Sequence, residues 1–211
     1  MKVGLFGGSF DPVHRAHLEI ARAARRDLGL DRILFLPTAV PPHKRDRDQA
    51  PALARFAMVE LALLEEHRLF ASGFELGPDD PSYTVESLEH FRDLWPRAEL
   101  HLLLGSDSLA EISTWHRWRE LPGLARLVVY PRRGAGREEI LESARPEILD
   151  ALDRERILFL DHREWEISST RIREALKRGD DPPEGWVPPR VLHYMRKYHL
   201  YDEGSSPLGN P

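Results

Sequence analysis

Met1-Lys2-Val3-Gly4-Leu5-Phe6-Gly7-Gly8-Ser9-Phe10-Asp11-Pro12-Val13-His14-Arg15-Ala16-His17 opens the chain. A short apolar run leads into a Gly-rich turn, and the turn into two histidines three residues apart. Glycine lets backbone pass close to a ligand. From Val13 to Leu28 the apolar residues Leu18, Ile20, Ala21, Ala24 and Leu28 recur at helical spacing. A strand, a tight turn and a helix start together make an anion site, because the first helical N–H groups lack intrahelical partners and the helix dipole favours negative charge there. Two imidazoles in the first turn of such a helix point to chemistry on a nucleotide.

Working outward, strand-like runs fall at Lys2–Phe6, Arg32–Leu36, Leu69–Leu76, Leu100–Leu104, Leu127–Tyr130 and Ile157–Leu160. Helical patterns lie between them, at Val13–Leu28, Ala52–Glu66, Tyr83–Leu94, Ser108–Glu120 and Glu138–Asp153. Strands alternating with helices predict an α/β fold: a Rossmann-like, doubly wound, mostly parallel sheet with helices on both faces. Leu102-Leu103-Leu104 is apolar at every position, as a strand buried on both faces must be. After Asp161 the pattern becomes a C-terminal helical segment, Ser169–Arg178 and Pro189–Tyr198. Residues 1–202 are expected to form one domain, and the Gly-, Ser- and Pro-rich stretch 203–211 a disordered tail.

The 211 residues are 41% hydrophobic and 31% charged, an ordinary composition for a globular protein. A net charge of -5 argues against a general nucleic-acid surface. There is no apolar run long enough for a membrane span, and no secretory leader is expected. The chain has no cysteine, which rules out disulfides, thiolate catalysis and Cys-ligated zinc, and the expected compartment is the cytoplasm.

A second segment, Ile167-Ser168-Ser169-Thr170-Arg171-Ile172-Arg173, places hydroxyls just before a helix whose first turn carries two arginines. A Ser or Thr N-cap is the plain reading. A second phosphate cradle, with hydroxyls and amides at the helix start and an arginine clamp, is the functional one.

Taken together, GSFDPVHRAH and ISSTRIR resemble the nucleotidyltransferases of the HxGH type, and within them the bacterial nicotinate-nucleotide adenylyltransferases. The resemblance runs from about Met1 to Tyr201. Pro41-Pro42-His43-Lys44, Pro81-Ser82-Tyr83-Thr84, Gly105-Ser106-Asp107 and Thr114-Trp115-His116 fit it in order. One departure is Ala16, which stands where the HxGH signature has Gly. The resemblance implies transfer of the adenylyl group of ATP to nicotinate mononucleotide, giving nicotinate adenine dinucleotide and pyrophosphate. It implies that His14, His17, Lys44 and Arg173 stabilise charge on the reacting phosphates. Gly7, Gly8, Ser9 and Phe10 would form the turn that packs on the nucleotide, with Ser168 and Thr170 on the triphosphate. Gly105 and Asp107 end the best strand, where open parallel sheets bind ligands; Asp107 would meet the ribose or cap the next helix. Tyr83, Thr84, Trp115 and Arg133 would serve the nicotinate nucleotide. Phe10 and Trp115 read equally well as core residues, and Arg133 as part of an exposed loop pair. Mg²⁺ is expected with ATP, held by substrate phosphates rather than by protein ligands.

Two other readings compete. One keeps the fold and changes the acceptor, to nicotinamide mononucleotide or another phosphate. The other is a non-catalytic or redox Rossmann module, which the absence of GxGxxG after the first strand disfavours.

Overall fold

Six strands pair side by side, all in parallel. In the computed structural model, which describes residues 1–39, 49–77, 83–131, 136–143, 146–152, 157–160 and 166–202, they are β1 (Lys2–Gly8), β2 (Arg32–Pro37), β3 (Leu69–Ala71), β4 (Glu99–Gly105), β5 (Arg126–Tyr130) and β6 (Ile157–Phe159). Their spatial order is β3-β2-β1-β4-β5-β6. The chain winds outward from β1 in one direction, then restarts beside β1 with β4 and winds the other way. That reversal opens a crevice at the carboxyl ends of β1 and β4, the place where doubly wound sheets bind ligands.

Side-chain alternation along the strands builds two cores. On one face Phe6, Ile33, Phe35, Leu103 and Val128 pack with helices α1 (Arg15–Leu28), α2 (Ala52–Leu63), α8 (Ser169–Lys177) and α9 (Pro189–Lys197). On the other, Val3, Leu5, Leu34, Leu102, Leu104 and Val129 pack with α3 (Thr84–Leu94), α4 (Ser106–Glu111), α5 (Leu121–Leu124), α6 (Arg137–Ser143) and α7 (Pro146–Ala151). Gly4 allows β1 its central place: a Cβ there would lie 2.9 Å from Ile33 Cγ1 and 3.1 Å from Leu30 Cδ1. No helix among the described residues is long and apolar enough to cross a membrane.

Several expected elements are shorter or broken, each for a local reason. The run Leu69–Leu76 is a strand only to Ala71; Gly73 turns the chain and Phe74–Leu76 form a 3₁₀ turn. The helix expected at Ser108–Glu120 begins at Ser106 and stops at Glu111. Two 3₁₀ turns follow, Ile112–Thr114 and Trp118–Glu120. The Thr114 hydroxyl donates back to the Glu111 carbonyl at 2.8 Å, a local bond that competes with the helix. Arg117 then takes a left-handed φ of 50° while pairing with Glu89 and Glu120. Glu138–Asp153 divides into α6 and α7, with Pro146 as the first residue of the second helix. Ala52–Glu66 ends as a helix at Leu63. The tail 203–211 lies outside the described residues.

Two buried polar residues fix what lies around the crevice. Arg55, on α2, is 1% exposed. Its guanidinium donates to the carbonyls of Ala50 (3.0 Å), Ser9 (2.6 Å), Thr38 (2.6 Å) and Ala39 (3.0 Å). It thus ties the turn after β1 to the segment after β2 and to the start of α2. Burial pulls its pKa below the ordinary arginine value, and the nearby Asp11 charge opposes that. Glu75 is also buried; it accepts from the Ser87 hydroxyl of α3 at 2.6 Å, and its backbone carbonyl accepts from Ala39 N–H at 2.9 Å. Burial pushes its carboxyl up to about 7.

Arg55→Met should strip those carbonyls of their donor and lower the unfolding free energy by about 2–4 kcal/mol, measured by denaturant titration. Glu75 gives a pH signature. Its folded pKa is raised, so its contribution to stability is complete below the unfolded value and is lost as pH rises through about 7. Glu75→Gln should therefore gain on the wild type between pH 5 and pH 8, by about 2–3 kcal/mol in paired unfolding curves.

Candidate active site

The turn after β1 lines one wall of the crevice. Gly8 ends the strand, and Phe10 adopts a left-handed φ of 46°. That conformation costs a bulky residue about 1–2 kcal/mol, and the ring's burial holds it in place. The Phe10 ring is 2% exposed and meets Phe6, Phe35 and His17 at centroid distances of 5.5, 5.3 and 5.0 Å. Its side chain therefore belongs to the core. A Cβ on Gly8 would lie 3.2 Å from that ring, so glycine makes room for it.

Helix α1 starts at Arg15 rather than at Val13, which makes His14 the N-cap and His17 the third helical residue. The two rings stack at 3.7 Å with planes 21° apart. His14 N–H donates to His17 Nδ1 at 3.2 Å. An accepting Nδ1 carries no proton, so the neutral His17 ring has its N–H at Nε2. The backbone thereby sets the tautomer as well as the direction of the ring. The helix start is less open than its sequence suggests: Arg15 N–H donates to the Trp186 carbonyl at 2.8 Å. Side chains must therefore supply much of the site's positive character.

The second motif closes on the first. Ser168 caps α8, accepting from Arg171 N–H at 3.2 Å. Ser169 Oγ donates to the Pro12 carbonyl at 3.0 Å, and Arg173 Nη1 to the Asp11 carbonyl at 2.7 Å. Thr170 Oγ1 lies 3.5 Å from Arg173 Nη2. Arg171 lies exposed across the Trp186 ring, 4.8 Å from its centroid. Residues more than 150 positions apart in sequence are thus held within hydrogen-bond reach, in the turn that precedes the two histidines.

Beneath them lies Asp11, 1% exposed. Its Oδ1 accepts from Tyr201 Oη at 2.5 Å and from Ala50 N–H at 3.1 Å. Its Oδ2 lies 3.7 Å from Arg173 Nη1. Burial raises the Asp11 carboxyl above its ordinary value, against the pull of Tyr201, Ala50, Arg173 and Arg55. The Tyr201 hydroxyl is raised well above its own, by burial first and then by the Asp11 charge.

Across the crevice, Gly105 ends β4 and caps α4, with Asp107 in the first turn accepting from Ser108 N–H at 2.9 Å. Tyr83 caps α3 and Thr84 begins it. Trp115 is half-buried in the link between the two 3₁₀ turns, and its neighbour His116 packs on the Tyr83 ring at 4.5 Å. Lys44 and Arg133 lie outside the described residues.

Sequence alone assigns no role to three residues with structural claims on the site: Arg55, Ser169 and Tyr201. Arg55 left a trace, since it shares helical spacing with the buried Met58 and Val59. Ser169 sits inside the recognised motif, one residue from the cap. Tyr201 carries no local sign at all.

The model of the cytidylyltransferase-like family matches residues 5–175. A protein of Gloeobacter violaceus named as a probable nicotinate-nucleotide adenylyltransferase is 39% identical over 95% of this chain and 96% of its own. One of Thermus thermophilus, with the same name, is 42% identical over 95% of this chain and 100% of its own. The nicotinic acid mononucleotide adenylyltransferase of Plasmodium falciparum, solved in complex with NaAD, superposes with a TM-score of 0.75 at 20% identity, covering 95% of this chain and 97% of that one. That last likeness is one of fold. With most of its length inside one family model and relatives this close from end to end, the chain belongs to the cytidylyltransferase-like family, among the nicotinate-nucleotide adenylyltransferases.

Proposed function

We propose that this protein joins ATP and nicotinate mononucleotide into nicotinate adenine dinucleotide and pyrophosphate. The observation that carries the reading is the convergence of the two end motifs: Ser169 and Arg173 bonded to the carbonyls of Pro12 and Asp11, in the turn that leads into the stacked His14 and His17. Full-length relatives bearing the corresponding name support it.

In this reaction a phosphate oxygen of nicotinate mononucleotide attacks the α-phosphorus of ATP. The bond from that phosphorus to the bridging α,β-oxygen breaks, and pyrophosphate leaves with the electron pair. A phosphomonoester has a second pKa of about 6, so the nucleophile is already ionised near neutral pH and needs no protein base. The protein's task is alignment and charge stabilisation. His17 offers Nε2–H to the transferring phosphate. His14, stacked on it, and Arg173 complete the positive wall, with Lys44 as a further cation. Ser168 and Thr170 would lie at the triphosphate, and Gly7, Gly8, Ser9, Gly105 and Asp107 would shape the nucleotide's bed, which Phe10 supports from the core. Among the described residues no three His, Asp or Glu side chains gather as metal ligands. Mg²⁺ arriving with ATP keeps several waters and takes few protein ligands, so it would be held by phosphate oxygens and water and would supply charge neutralisation there.

On the acceptor side we assign Tyr83, Thr84, Trp115 and Arg133. Helix α3 presents its first amides at Thr84 and Val85, ahead of the Glu86 and Ser87 N–H groups that bond to the Tyr83 carbonyl. A helix start favours the nicotinate carboxylate over the neutral amide of nicotinamide.

Pyrophosphate release from ATP with a panel of phosphate acceptors tests the reading; release with nicotinate mononucleotide is expected. kcat/KM for nicotinate mononucleotide should exceed that for the nicotinamide form by about a hundredfold, from two poorly paired contacts. Equal values would leave only a general adenylyltransferase. His17→Ala should fold and lose about 10²–10³ in turnover, the scale for one transition-state donor. Turnover near wild type in the folded variant would remove His17 from the chemistry.

A further inference from the structure

The Asp11 cluster has a member that the adenylyl-transfer chemistry does not use. Tyr201 stands 190 residues from Asp11 in sequence, yet its hydroxyl donates to the Asp11 carboxylate at 2.5 Å in a site closed to solvent. The chain goes to some length to bring it there. After α9, His199 and Tyr201 both take left-handed φ values, 50° and 73°, and Leu200 N–H returns to the Met195 carbonyl at 2.9 Å. A tyrosine held in that region of backbone space is kept there by its surroundings.

Among the described residues, the Asp11 carboxylate is what Tyr201 bonds to on the way to Arg173. Oδ1 is occupied by the Tyr201 hydroxyl and the Ala50 amide. Those two donors fix the plane of the carboxylate and so aim Oδ2 at Arg173, 3.7 Å from Nη1. Oδ2 has no hydrogen-bond donor among the described residues. The same Nη1 donates to the Asp11 carbonyl at 2.7 Å. The guanidinium thus rests against one residue through two oxygens, and its Nη2 lies 3.5 Å from Thr170 Oγ1. Arg55, also buried, adds positive charge in the neighbourhood of the carboxylate.

We propose that Tyr201 is a positioning residue for ATP: by locking the Asp11 carboxylate it holds the Arg173 guanidinium at the place where the triphosphate binds. This rests on the assignment of Arg173 to the ATP phosphates. It predicts that the carboxyl end of α9 and the Gly-rich turn act as one unit in ATP affinity, while acceptor affinity is independent of it.

The test is a double-mutant cycle on MgATP affinity by isothermal titration, a readout that needs no turnover. Tyr201→Phe keeps the packed ring and deletes one donor to a charged acceptor. It should raise Kd for MgATP about tenfold and shift that for nicotinate mononucleotide by less than about twofold. In the Arg173→Ala background, Tyr201→Phe should cost nothing further. Equal losses in both backgrounds, parallel losses for both substrates, or an unchanged Kd would overturn the proposal and show Tyr201 to be merely structural. If Tyr201→Phe does not fold, Asp11→Asn carries the same expectation, since it keeps an oxygen for Tyr201 and Ala50 while turning an amide N–H toward Arg173. If Arg173→Ala alone leaves MgATP affinity intact, the Arg173 assignment fails and the proposal with it. Failure of pyrophosphate release with every acceptor, with the cycle coupled as predicted, would instead sink only the choice of reaction.

Discussion

One buried carboxylate organises the end of the sheet where the chemistry is assigned. Asp11 sits in the turn after β1, takes a hydroxyl from the last described helix region and an amide from the segment before α2, and faces an arginine from α8. A carboxylate so removed from water is costly unless its oxygens are paired. That cost links four distant stretches of chain, because displacing any of them would leave charge buried and poorly compensated. Arg55 repeats the arrangement with opposite sign, one guanidinium serving four backbone carbonyls. The turn between β1 and α1 is therefore fixed from below by side chains, which leaves its upper surface to a ligand.

The electrostatics of the crevice are local. The chain as a whole carries a net charge of -5, and the polyanion it is proposed to bind would gain little from that background. What would favour phosphate at the proposed site is a small group of oriented donors: the His17 Nε2–H defined by a backbone bond to Nδ1, the stacked His14, and Arg173 held by Asp11. The Trp186 carbonyl takes the first amide of α1, so the helix start contributes field more than free hydrogen bonds. Preorganised side-chain donors are well suited to charge that shifts during reaction, since they need not reorient as it moves.

Much of this was legible in the sequence because strands in a doubly wound sheet are short and apolar, and their spacing from helices is regular. All six strand-like runs correspond to strands, and the two end motifs converge where the resemblance required. The departures are equally physical. Periodicity marked Ser108–Glu120 as one helix, but it cannot register that the Thr114 hydroxyl bonds back to the Glu111 carbonyl and that Arg117 turns left-handed to reach Glu89 and Glu120. A helix beginning at Val13 puts His14 inside the first turn, whereas it caps a helix that begins at Arg15, a shift of two residues that decides which backbone group sets the His17 tautomer. Arg55 and Tyr201 were missed because their partners are backbone carbonyls and a carboxylate far away in sequence. No window of neighbouring residues contains the information.

The separation between Asp11 and Tyr201 also has a meaning in time. Ribosomes add about 5–20 residues per second, so the 190 positions between the two residues correspond to about 10–40 s of synthesis. For that interval the turn exists on a nascent chain without the hydroxyl that closes over its carboxylate. The early strands can pair while translation continues, but the base of the crevice is finished only when the carboxyl-terminal helix has cleared the exit tunnel and packed. A polypeptide stopped before this helix would carry both histidines and the Gly-rich turn and still lack the core residues Val191, Met195 and Leu200 and the tyrosine that closes over Asp11.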